Sequence, residues 1–160
     1  MLDIIPKAEQ VVAEMRRVVR PGGVVASGVF DFWGGYSAFA LVWDTGAVLD
    51  EGIRALRDDL KAHPIVRPGG QADLWRRTGL TKVVEAPIVI SFDYTSFADY
   101  WSNFTTGQGR LGARLKALPG DLRDDIQRHV RTGYLGGMPD GPRSFAIIVR
   151  AARGIVPDRA

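Results

Sequence analysis

The chain has no cysteine, which excludes disulfides, thiolate nucleophiles and cysteine-ligated metals together. Long apolar runs are missing too: none approaches the roughly 18–20 residues a membrane-spanning helix needs. The N-terminus shows no basic segment followed by an apolar stretch and a small-residue cleavage site. A cytoplasmic protein with no membrane partner is the resulting expectation. Histidine is scarce. His63 and His129 have no partner at ligand spacing and no exposed nucleophile beside them, so neither a metal site nor a charge-relay triad is expected. Also absent are a G-x-x-x-x-G-K-[ST] phosphate loop and a G-x-S-x-G nucleophile elbow. Gly107-Gln108-Gly109 comes nearest to a dinucleotide fingerprint, but it follows a helical pattern instead of a strand and reads as a hinge between helices.

What is present is ordinary for a globular protein: 160 residues, 46% hydrophobic and 24% charged, enough for one domain with a sizeable core. The net charge is +3, carried mostly by arginines dispersed from Arg16 to Arg131. Most sit beside acidic residues or near helix ends, where cations suit the macrodipole, so no nucleic-acid partner is expected. The carboxylate pairs Asp58-Asp59 and Asp124-Asp125 are sequence neighbours. On a helix they diverge, which suits solvated faces better than general acid–base work.

Ala8, Val11, Val12, Met15, Val18 and Val19 recur at spacings of three and four and predict an amphipathic helix from near Pro6. Pro21 stops it, and Gly22-Gly23 supply the tight reversal. The β-branched run that follows predicts a strand over about 23–30, buried on both faces. Asp31 to Tyr36 then leaves the strand as an aromatic, glycine-hinged loop. Helical patterns occupy about 38–48 and 50–61, and a short helix over 72–78 closes at Gly79. The next strand spans 82–93, and Pro87 places it at a sheet edge or at a bulge. Ser96-Phe97-Ala98-Asp99 has capping-box spacing and opens a helix through Phe104. Helices over 110–118 and 121–132 follow, then a strand over 144–152 and a frayed tail from Gly154. Trp75 and Phe97 read as core. Trp33 and Tyr36 follow the C-terminal end of a buried strand, where open α/β sheets place ligands. With Tyr100 and Trp101 they are the candidate walls of a small-molecule site, and Asp31 is its polar candidate.

The run Ala13-Glu14-Met15-Arg16-Arg17-Val18-Val19-Arg20-Pro21-Gly22-Gly23, followed by an apolar strand, resembles one stretch of class I S-adenosylmethionine-dependent methyltransferases, particularly the type 11 group. There it joins the helix after the fourth strand to the fifth. Leu2-Asp3-Ile4-Ile5-Pro6 is similar to the loop closing the fourth strand. Arg67-Pro68-Gly69 with Leu74 to Leu80 resembles the helix before the sixth strand. Ser96 to Gly109 resembles a helical cap that some members insert before the seventh, at about 96–138 here. The resemblance runs from Leu2 to about Pro157.

It implies an α/β, partial Rossmann-like methyltransferase fold with a three-stranded mixed sheet in the order 23–30, 144–152, 82–93. It also implies methyl transfer from the sulfonium of S-adenosylmethionine to a small-molecule acceptor held by Asp31, Trp33, Tyr36, Tyr100 and Trp101. The family's donor-binding loops, after the first and second strands, have no counterpart in the sequence; that half of the fold would precede Met1. No donor-binding residue or general base is therefore carried over. The chain is expected to be inactive alone and to self-associate or pair with a complementing N-terminal half. The alternative expectation is a non-catalytic binding or assembly module derived from the same fold.

Overall fold

The Pro-Gly-Gly stop acts as the sequence predicts, and so does the apolar stripe except at Val18, which is 63% exposed because the helix ends there without cover. The structure is a computed structural model that describes Ile5 and residues 7–158. In it, helix α1 (Ala8–Val18) buries Ala8 and Val12 and carries Arg16 and Arg17 in its last turn. Val19 is already extended. Gly22 takes φ 71°, and a Cβ on Gly23 would fall 2.4 Å from Val19 Cγ1, so glycine is required at both positions. Pro6, the expected helix start, lies outside the described residues, as do Leu2, Asp3 and Ile4 of the loop-like segment.

Strand β1 (Val24–Phe30) pairs antiparallel with β3 (Arg143–Ile155), from Val24 opposite Ile155 to Phe30 opposite Val149. Strand β2 (Thr81–Tyr94) lies on the other side of β3, giving the order β1-β3-β2. Thr81 Oγ1 donates to the Ile155 carbonyl at 3.1 Å, while Asp93 is hydrogen-bonded to Ser144. These two ends fix β2 and β3 as antiparallel as well. The strand order is the expected one, but the sheet is not mixed. β1 and β2 are not neighbours in the sheet, and among the described residues no strand adds a parallel neighbour. Pro87 sits on an edge strand, where its missing N–H costs the ladder nothing.

Two further expectations are corrected. β1 is not buried on both faces: Val25 and Val29 are buried, whereas Val24, Ala26 and Gly28 are exposed. The cause is one-sided cover. Val12 of α1 and Leu74 and Trp75 of α4 (Gly70–Arg77) join Val25, Val29 and Ala152 in one cluster on a single face. Nor does the tail fray from Gly154. β3 continues to Ile155, and Val156 exchanges backbone bonds of 2.9 Å with Gly22 and Gly23 and is buried.

The remaining helices are α2 (Ser37–Leu49), α3 (Glu51–Ala62), α5 (Phe97–Thr105), α6 (Gly109–Ala117) and α7 (Gly120–Leu135). Ser96 caps α5 by accepting from the Asp99 N–H at 3.2 Å, and the Asp99 carboxylate accepts from the Thr95 N–H at 2.8 Å. α7 runs past the expected end at Thr132 to Gly136, whose φ of 55° terminates it. His63 accepts from the Ile65 N–H at 3.3 Å, capping a short 3-10 turn, Pro64–Val66.

The chain divides into two compact units. The first comprises the residues up to Gly35, Leu60–Ile90 and those from Ile148; the second comprises Tyr36–Asp59 and Ser91–Ile147. In the first, Trp75 is fully buried against the sheet. Gly154 makes room for it: a Cβ there would lie 3.3 Å from Trp75 Cε3 and 3.1 Å from Leu80 Cβ. In the second, α2 packs on α7, and α5 on α6 and α7, around a core of Tyr94, Phe97, Tyr100, Phe104, Tyr134 and Phe145 in edge and stacked contacts. Asp50 ties its helices together. It accepts from the Ile53 N–H at 2.7 Å at the start of α3 and takes two bonds from Arg114 of α6, at 3.0 and 2.7 Å. The guanidinium of Arg114 holds the Asp50 carboxyl below the usual carboxylate range.

Candidate functional site

The loop after β1 is held by its own backbone. The Gly35 N–H bonds the Asp31 carbonyl at 3.0 Å, and the Ile148 N–H bonds the Gly35 carbonyl at 2.6 Å, closing the loop onto β3. A Cβ on Gly35 would lie 2.5 Å from Ile148 Cβ, so only glycine permits this approach. The result turns Asp31 inward, where it is 4% exposed. Its Oδ1 accepts from the Trp33 N–H at 2.9 Å, and its Oδ2 accepts from Arg150 Nη2 at 2.7 Å.

Arg150 comes from β3, opposite Val29, and its Nε is buried with no acceptor. Its carbonyl accepts from Gln71 Nε2 at 2.6 Å, and the fully buried Gln71 in turn accepts from Ser27 Oγ at 2.7 Å. Above the ion pair the chemistry changes. The Trp33 ring is 55% exposed, and the Arg67 guanidinium lies 5.6 Å from its centroid, within cation–π range. This end of β1 therefore joins a buried carboxylate–guanidinium pair to an exposed aromatic–cation surface suited to a flat polar ligand. The Asp31 carboxylate is held by two donors, the Trp33 N–H and Arg150 Nη2.

Two other features of the first unit bear on ligands. The N-terminus of α4 is occupied: Glu85 accepts from the Gly69 N–H at 2.8 Å and the Ala72 N–H at 3.0 Å. It offers no vacant anion site. The sheet face that the described residues leave uncovered forms a cavity of about 550 Å³, lined by small and apolar residues including Ala26, Gly28, Val84, Ala86, Val149 and Ala151.

The remaining candidates belong to the second unit. Tyr36 stacks on Phe39 with centroids 4.3 Å apart. Phe39 meets Phe104, and Phe104 meets Tyr100, so Tyr36 and Tyr100 share one aromatic cluster. Tyr100 is fully buried and its hydroxyl donates to the Ala38 carbonyl. Burial pushes its acidity far below that of an ordinary phenol. Trp101 stacks on Phe97 at 6.0 Å. With Phe104, Thr105, Leu115, Lys116 and Arg123, it also lines a cavity of about 260 Å³. The structure thus brings Asp31 and Trp33 together in one unit, and Tyr36, Tyr100 and Trp101 into the core of the other.

Sequence reasoning missed Arg150 and Arg67. Arg150 had a visible signal, a lone cation inside the apolar run Ser144–Ala152, because a charge in a covered strand implies a partner. Arg67 had none; it lies in an Arg-Pro-Gly-Gly break that reads only as a turn.

No protein-family model matches the chain. It is similar to a curated protein of Nocardioides sp. (strain ATCC BAA-499 / JS614), phosphoribosylformylglycinamidine synthase subunit PurL, at 28% identity over 171 aligned residues. The alignment covers 98% of this chain but 21% of the relative, so the chain spans about a fifth of that protein's length.

Proposed function

We propose that the chain is a homologue of S-adenosylmethionine-dependent methyltransferases, carrying the acceptor side of a Rossmann-like fold that acts on a small molecule. The strand order carries this reading. The last strand in sequence, β3, lies between β1 and β2 and antiparallel to both. That supports assignment to the fifth, seventh and sixth strands of the family, an order that a simple meander would not produce.

The described residues do not fit the methyl donor. The glycine-hinged loop after β1 is filled by its own contacts, Gly35 closing onto Asp31 and Ile148, and the N-terminus of α4 is capped by Glu85. No transfer step is assigned to them. Trp33 with Arg67 forms the acceptor wall of the first unit, and Asp31 fixes that wall through Arg150 and the Trp33 N–H. Tyr36, Tyr100 and Trp101 build the aromatic interior of the second. Calorimetric titration of the chain with S-adenosylmethionine tests the missing donor site. No saturable heat is expected up to about 1 mM ligand; a saturable isotherm would contradict the assignment.

A second reading has its own observation. The stretch similar to this chain is about a fifth of a subunit named for another activity. That favours a non-catalytic binding or assembly module derived from the same fold, within a larger polypeptide.

A further inference from the structure

The cavity of the second unit combines features that its own stability does not require. Its floor is apolar: Trp101, Phe104 and Leu115 are buried, and the two rings lie 6.0 Å apart, tilted by 43°. Two cations close the rim, Lys116 near the end of α6 and Arg123 in the first turn of α7.

These cations differ from most arginines of the same unit. Arg57, Arg110, Arg114, Arg128 and Arg131 of the same unit each pair with a carboxylate. Among the described residues neither Lys116 nor Arg123 has an ion-pair partner, and neither lies over an aromatic ring. Lys116 is also held in place. Its stem crosses Gly107, where a Cβ would sit 3.1 Å from Lys116 Cδ, and Gly107 has φ 74°. The hinge glycine therefore both makes the turn and leaves the space that the lysine fills.

An apolar pocket with a few convergent polar groups is the usual form of a small-molecule site. Here the polar groups are two unpaired positive charges, with the Thr105 side chain beside them. We propose that this cavity binds a small aromatic carboxylate, its ring on Trp101 and Phe104 and its carboxylate between Lys116 and Arg123. A volume of about 260 Å³ admits one or two fused rings. The site lies wholly within the second unit, and the proposal does not depend on methyl transfer.

Its test is a titration of the full chain with 2-naphthoate, followed by NMR at the Trp101 indole and the Thr105 amide. Saturable shifts at both are expected. The neutral isostere 2-naphthamide should bind about tenfold or more weakly, as should Lys116→Ala and Arg123→Ala for naphthoate. Both residues are on the surface of their helices, so the variants should retain the native spectrum elsewhere, and raising the salt should weaken naphthoate alone. The proposal is overturned by absent shifts at millimolar naphthoate, by equal binding of the amide, or by unchanged affinity in Lys116→Ala and Arg123→Ala.

Discussion

Trp75→Ala is expected to cost the first unit about 4 kcal/mol, near the upper part of the range for a large core side chain cut to alanine. Trp75 is fully buried among Val12, Val25, Val29 and Leu74, the cluster that joins α1 and α4 to the sheet. The hole cannot collapse easily, because Gly154 contributes no side chain to fill it. Trp75→Phe should behave very differently. Trp75 Nε1 is buried without an acceptor, and an unmade bond of that kind costs about 1–3 kcal/mol. Phenylalanine loses packing but also removes the orphan donor, so a net change within about 1.5 kcal/mol is expected. Native-state amide exchange at β1 and α4 measures both changes within the unit that contains the substitution. An alanine variant no more perturbed than the phenylalanine variant would mean that Trp75 does not organise this core.

Asp31→Ala is the second large effect, about 3 kcal/mol. Asp31 is nearly inaccessible, and the side chain of Arg150 is 18% exposed. Removing the carboxylate strands a guanidinium whose Nε already lacks a partner, and breaking such a pair typically costs 3–5 kcal/mol. Asp31→Asn keeps an acceptor for the Trp33 N–H and should cost roughly half as much. Replacing both residues, Asp31→Ala with Arg150→Met, should recover most of the loss, because an apolar pair needs no compensation for desolvated charge. The double-mutant cycle therefore measures a coupling of at least about 1.5 kcal/mol. Additive losses would show that the pair carries no stability beyond its separate members.

The elements were largely legible in the sequence because each has a local cause. The stripe of α1, the Pro21 stop and the Ser96 cap act through residues only a few positions apart. The order β1-β3-β2 came from the family resemblance; no local signal specifies which strands pair across a hundred residues of chain. The exposed face of β1 was misread for a related reason. Val24, Ala26 and Gly28 are apolar or small whether or not anything covers them, so composition could not reveal that one side is bare.

Among the candidate residues, aromatic type alone did not separate surface from core. Trp33 is at the surface, while Tyr100 is sealed inside with its hydroxyl satisfied by Ala38. The partners that give Asp31 and Trp33 their setting, Arg150 and Arg67, come from distant segments and carry no motif.

The proposed function makes β1 an inner strand of a methyltransferase-like sheet. It is tested most directly by hydrogen exchange on β1 in a fusion, with the donor-binding half of a type 11 methyltransferase placed ahead of Ala8. In the chain alone, the β1 amides that face away from β3 should exchange quickly. In the fusion, with S-adenosylmethionine bound, the same amides should slow by at least about tenfold as a parallel strand pairs with them. A fusion whose donor half folds and binds S-adenosylmethionine, while those amides exchange as fast as before, would contradict the account.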